Sequence, residues 1–327
     1  MDRRAFLTSL GAGLLGPLAA EAQPAGKVPR IGILCAVFCR AFSVGLLPEG
    51  KAFEDSLSEH GYVDGDSIFL DRRGAGVAYD RLPGYATDLV RRKVDVILAE
   101  GWAAVQAAKL ATRTIPVVMV AAGDPVETGL VASLARPGGN ITGVTLPFGD
   151  LLAKQLELLK EIGPGVSHVV VLLNPNNPEH PRALKSMTPA ASALGVRLEV
   201  VEVRTRGYTE LEASVSRTAR GRSALLVLDS ERAGEVTLFA IKNGLPAVSF
   251  EHSFAAAGGL MTYGPNRFDL YRRTAVYLDR ILKGASPADL PVQQPTRFDL
   301  IINLTTARAL GLTVPPSILL RVDQVIE

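Results

Sequence analysis

From residue 27 onward, short apolar runs alternate with longer amphipathic stretches. An apolar run at 30–34 leads to a helical stretch at 50–60, and a strand pattern at 67–71 leads to a helix at 80–93. Runs at 94–99 and 115–120 flank a helix at 103–112, and a further run follows at 140–144. A second series then repeats the first. It comprises a helix at 151–162, a strand at 169–173, a helix at 183–194, a strand at 197–203, a helix at 209–220, a strand at 224–228, a helix at 235–243 and a strand at 246–250. Short, nearly continuous apolar strands separated by helices predict parallel sheets covered on both faces. The halves also share detail, since TIPVV at 114–118 is mirrored by GLPAV at 244–248. The pattern predicts an α/β protein of two similar doubly wound lobes.

The tail reads as a strand at 259–263, a helix at 270–283 and a strand at 297–303. About 65 residues with one strong helix do not easily enclose a separate core, so they return to complete the lobes. The expected division is 28–143 plus about 259–290 for the first lobe, and 144–258 plus about 291–327 for the second. Chain crossings between the lobes would form a hinge and leave a cleft.

The N-terminus, MDRRAFLTSLGAGLLGPLAAEAQ, contains Gly11, Gly13 and Gly16 in the spacing G-x-G-x-x-G. That dinucleotide fingerprint requires a strand feeding its first glycine and an acidic residue about 20 positions on. Here Asp2, Arg3 and Arg4 stand where the strand should be, and Leu34-Cys35-Ala36 occupies the later region. The segment instead has a basic n-region, an apolar h-region and an Ala20-Glu21-Ala22 cleavage site, so 1–22 reads as an export signal. General secretory and twin-arginine export both fit. The expected location is the periplasm, with cleavage near Ala22 and no cofactor.

Composition narrows the classes. Apolar residues make up 47% of 327 residues, enough for substantial cores, and 35 basic against 33 acidic residues argue against nucleic acid as a partner. Two cysteines exclude a disulfide framework. Cys35 and Cys39 fit either a local disulfide or a pair of buried thiols. The segment 45–52 approaches a phosphate loop, but Ala52 replaces its magnesium-binding hydroxyl. Histidines at 60, 168, 180 and 252 lack metal-ligand spacing, and neither G-x-S-x-G nor H-E-x-x-H occurs. No metal site and no catalytic residues are expected.

Ligands of open parallel sheets bind beyond the carboxyl ends of the strands. The candidates there are Cys35, Ala36 and Phe38 after the first strand, then Gly101, Trp102 and Ala103, then Gly123 and Asp124. Arg72-Arg73-Gly74 is a further exit segment. The second lobe contributes Asn174, Asn176, Asp229 and Glu251. Small residues at 101–104 leave helix N–H groups open to a carboxylate or phosphate. Trp102 suits an apolar ligand surface, and Asp229 or Glu231 an ammonium. Ordinary turn and capping roles compete at Asp124 and Asn174.

Four long segments, 121–143 (AAGDPVETGLVASLARPGGNITG), 258–265 (GGLMTYGP), 289–303 (DLPVQQPTRFDLIIN) and 309–323 (ALGLTVPPSILLRVD), carry a resemblance. They resemble the substrate-binding proteins of ABC transporters, in the group that includes tryptophan-binding and related aromatic amino-acid receptors. The resemblance implies the type I periplasmic-binding fold, with two Rossmann-like lobes closing on a solute. It also implies an inner-membrane permease as partner and a monomer. Asp124, Asn174 and Tyr263 match positions of that family. Loops facing the cleft depart from it: Cys35-Ala-Val-Phe-Cys39-Arg40 replaces small glycine, serine and proline residues, and Asp229-Ser-Glu-Arg232 and Glu251-His252 also differ. The binding role therefore transfers further than the ligand's identity. An exported enzyme using Asp124, Glu251 and His252, and a sensory module, are the alternative readings.

Overall fold

The computed structural model describes residues 27–36, 39–42, 48–76, 78–146, 148–175, 177, 179–202, 211, 221–228 and 233–327. The expected signal at 1–22, Phe38, Asn176, most of the helix at 209–220, and Asp229 with Glu231 lie outside these residues.

The first sheet comprises β1 (Arg30–Cys35), β2 (Phe69–Gly74), β3 (Val96–Glu100), β4 (Val117–Val120) and β5 (Ile141–Val144), in the order β2-β1-β3-β4-β5 and parallel throughout. Its helices are α1 (Pro48–Glu59), α2 (Leu82–Arg91) and α3 (Trp102–Ala111). Side chains on a strand alternate between faces, and each face here has its own core. Ile31, Ile33, Val118 and Val120 pack with Phe42, Phe53 and Leu57. Leu34, Val117 and Met119 pack on the other side with Leu89, Ala104 and Val105.

The second sheet repeats the path. It contains β6 (His168–Leu173), β7 (Arg197–Glu202), β8 (Ser223–Val227), β9 (Ala247–Ser249) and β10 (Met261–Pro265), ordered β7-β6-β8-β9-β10. β11 (Phe298–Asn303) adds antiparallel to β10, and β12 (Gln324–Ile326) adds parallel at the edge. Around this sheet lie α4 (Phe148–Ile162), α5 (Glu179–Ala193), α6 (Ala233–Lys242) and the short α7 (His252–Ala256). Val169, Val171 and Leu173 of β6 face the core that includes Leu156 and Met187, while Val170 and Leu172 face that of Val236 and Phe239.

Two expectations need correction. The strand expected at 67–71 is β2 at 69–74, so Arg72-Arg73-Gly74 is strand and not an exit loop. As an edge strand β2 is covered on one side only, which admits charged residues; Arg73 pairs with Asp71 and Asp88. The tail strand β10 pairs with β9 and β11 in the second sheet, not the first as expected. α8 (Arg267–Leu282), which follows it, and the segment after it as far as Gln293 return to the first lobe, where Tyr271, Leu278 and Ile281 enter the core of Phe42 and Phe53 and Val292 the core on the other face.

The chain crosses three times between lobes: after β5, between β10 and α8, and on the way from residue 293 to β11. The third crossing begins beside β5, where Thr145 N–H donates to the Gln293 carbonyl at 2.9 Å and Gln293 N–H to the Gly143 carbonyl at 2.9 Å. Asn266 terminates the second crossing. Its side chain accepts the Asp269 N–H at 2.8 Å and caps α8, and its amide donates to the Asp299 carboxylate at 2.8 Å. Two short helices, α9 (Leu304–Ala309) and α10 (Pro316–Leu319), close the second lobe.

Candidate functional site

The carboxyl ends of the parallel strands in the two sheets face each other, and the two lobes touch along a seam. On the first lobe, β1 and β3 end side by side, with Ala36 N–H donating to the Glu100 carbonyl at 3.1 Å. Cys35 is fully buried and disulfide-bonded to Cys39, with Cα atoms 5.4 Å apart. This settles the two alternatives at these cysteines and ties β1 to the short turn beyond it.

Gly101 begins α3 with φ of +79°, a left-handed value that glycine adopts freely, and no side chain caps the helix. A Cβ there would stand 3.2 Å from that of Ala36. The first N–H groups of α3, from Trp102 and Ala103 onward, have no acceptor within the helix. Trp102 packs its ring against the first-lobe core, and its indole N–H is buried without a hydrogen-bond partner. From the other lobe, the Arg182 guanidinium lies 5.7 Å from the centre of that ring.

After β4, Gly123 takes φ of +64°, and an acidic side chain reaches it from the second lobe. Glu179, in the first turn of α5, sets Oε2 1.4 Å from where a Gly123 Cβ would be, so only glycine admits it. Glu179 is 5% exposed, and its Oε1 accepts no hydrogen bond. Arg182 Nη1 stands 3.6 Å away. Burial pushes the Glu179 carboxyl up to about 7; Arg182 opposes this, and the Glu127 and Asp124 carboxylates add to it.

Nearer the hinge is a charged network that joins the expected Glu251, and Glu100 at the end of β3, to Arg267 and Tyr271, which the sequence did not single out. Arg267, at the start of α8, donates to Glu251 Oε2 at 2.5 Å and to the Tyr271 hydroxyl at 2.6 Å, and lies 3.7 Å from Glu100 Oε1. Tyr271 donates to Glu100 Oε1 at 2.7 Å. Burial pushes the Glu100 carboxyl up, against Arg267 and the Tyr271 hydrogen bond, which lower it. The buried Tyr271 phenol is held well above its ordinary range. Glu251 extends from the second sheet, so Arg267 joins the two lobes.

Some candidates are used differently. Asp124 is exposed and accepts the Val126 and Glu127 N–H groups at 2.9 Å each, the turn role. Asn174 is buried, and its N–H donates to His180 Nδ1 at 2.9 Å. Tyr263 stacks on Phe298 with ring centres 5.7 Å apart and packs against the second-lobe core. Ala103 packs against the core beneath Trp102. The structure thus brings Ala36, Gly101, Trp102, Gly123 and Glu251 to the seam and adds Glu100, Glu179, Arg182, Arg267 and Tyr271. The signal for Glu100 was present: it is the one charged residue ending the apolar run VILAE. Glu179 and Arg267 gave none, because helix first turns often carry charge. Among the described residues no cluster of His, Cys, Asp and Glu suits a metal ion, and no helix is long and apolar enough to cross a membrane.

The family model of ABC transporter substrate binding proteins matches residues 43–326, and the chain belongs to that family. It is 30% identical over 269 residues to a tyrosine-binding protein of Clostridioides difficile (strain R20291), covering 80% of this chain and 76% of that protein. Among solved structures, an ABC domain in complex with L-Trp from Streptococcus pneumonia superposes with a TM-score of 0.80 at 26% identity, covering 91% of this chain and 99% of that one. A ligand-free, open substrate-binding protein with adhesive properties from Clostridium difficile superposes at 0.68 and 27% identity over the same shares. The fold is that of type I periplasmic-binding proteins.

Proposed function

We propose that this chain is the exported solute receptor of an ABC importer, capturing an aromatic amino acid or a close relative by lobe closure and releasing it unchanged to a permease. The observation that carries this reading is the closed seam. Trp102 meets Arg182 and Gly123 meets Glu179 across it, and Arg267 ties Glu251 to Glu100. At nearly equal identity, the chain superposes better on the L-Trp complex than on the open, ligand-free relative, which supports a closed arrangement here.

The available chemistry suits a zwitterion with an apolar side chain. The uncapped start of α3 offers N–H groups to a carboxylate, and Trp102 supplies an aromatic wall with an unsatisfied N–H. Glu100 and Glu251, two acidic groups set against the single Arg267 guanidinium, leave the seam able to hold an ammonium. A ligand touching both lobes shifts the population toward closure, and a permease that reads the closed form then receives cargo. Mass spectrometry of compounds released from the purified mature protein tests this. An amino acid recovered near one per chain, and rebinding as the pure compound, is expected. Recovery of a sugar or a nucleotide, or turnover of whatever binds, would overturn it.

A further inference from the structure

Among the described residues of the seam, Glu179 is a buried carboxyl whose Oε1 has no donor at hydrogen-bond distance. From its own helix it faces Arg182, 3.6 Å away and itself turned over Trp102. From the loop after β4 it faces the Gly123 backbone and the carboxylates of Asp124 and Glu127. His180, next to it, is directed to the Asn174 N–H instead. A carboxylate here is dry and beside two like charges, with one offset cation; the neutral acid escapes all three penalties. Parting the lobes removes Gly123, Asp124 and Glu127 together, because all three belong to the first lobe, and readmits water. Glu179 then stands at an ordinary helix start, its N–H donating to Asn177 Oδ1 at 3.0 Å, where the helix field favours the charged form.

We propose that Glu179 is a proton-linked latch: closure converts its carboxylate to the carboxylic acid by taking one proton from solvent, and solute capture strengthens as the medium acidifies. The sign follows from linkage. The closed form binds more protons than the open form between the two ionisation ranges, so closure weakens as pH rises through about 5 to 7 and levels off beyond. The slope is at most about tenfold in the closure constant per pH unit. For the ligand arm, the proposal rests on the receptor reading above.

Trp102 is the only tryptophan of the chain and lies in the seam, so its emission reports opening without any ligand. In ligand-free wild type, the emission maximum is expected to move to longer wavelength in one sigmoid step between about pH 5 and 8. Glu179→Gln, which keeps the shape of the neutral acid, should hold the short-wavelength position throughout. A flat wild-type profile, or the same step in Glu179→Gln, overturns the latch. Calorimetry with L-tyrosine and L-tryptophan as probes, in two buffers of different ionisation heat, should show uptake approaching one proton per ligand near pH 6 in wild type and none at this site in Glu179→Gln. Equal affinity at about pH 5.5 and 8 in wild type would also overturn it. Failure of both probes to bind, with the emission step intact, counts against the aromatic amino-acid reading and leaves the latch standing.

Discussion

At Gly123 two demands meet, a left-handed backbone and an acidic side chain from the other lobe resting where a Cβ would stand. Gly123→Ala must strain the backbone by about 1 kcal/mol and also expel Glu179 from the seam. Its expected signature is a solute affinity at least about tenfold weaker in calorimetry, with only a small loss of thermal stability. Trp102 separates two contributions. Trp102→Phe keeps an aromatic wall and loses the N–H, whereas Trp102→Ala loses both. If the ring is the ligand's surface, Trp102→Ala should weaken binding by about tenfold or more and Trp102→Phe by much less. Equal losses in the two variants would point to the N–H instead.

Among the elements, the parallel sheets and most of their helices were readable from the chain, because buried strands such as 96–100 and 168–173 declare themselves as apolar runs. The edge strand was displaced by two to three residues, since β2 carries Asp71, Arg72 and Arg73, which periodicity assigns to a loop. The tail was harder. β10 and α8 are adjacent in sequence yet serve opposite lobes, and only the crossing at Asn266 separates them. The site was half legible: strand ends located Ala36, Gly101, Trp102 and Gly123, but the partners from α5 and α8 come from helix faces that sequence spacing does not orient. The network at the start of α8 yields its own prediction. Arg267→Ala leaves Glu251 without its cation and Glu100 with the Tyr271 hydroxyl alone, and at this partly buried pair the loss is expected to be roughly 2 kcal/mol. Denaturant unfolding should show that loss, with part of it recovered in the Arg267→Ala, Glu100→Gln double variant. The disulfide at the end of β1 closes a very short loop, so the Cys35→Ser, Cys39→Ser protein should lose about 2 kcal/mol, read as a melting temperature a few degrees lower.

Across the whole molecule, two sheets with the same strand path face each other and are joined by three crossings, an arrangement in which relative motion is concentrated at few residues. Among the described residues the seam is held by a few side-chain contacts, Glu179 on Gly123, Arg182 over Trp102 and Arg267 between Glu100 and Glu251, which makes it the natural place for a solute to act on the equilibrium between open and closed forms. Small-angle scattering of the protein at about pH 8, stripped of bound solute by unfolding and refolding and then titrated with L-tyrosine or L-tryptophan, tests this most directly. A radius of gyration that contracts in step with ligand occupancy is the predicted result. A radius that stays constant while the solute binds to saturation would contradict closure as the mechanism of capture.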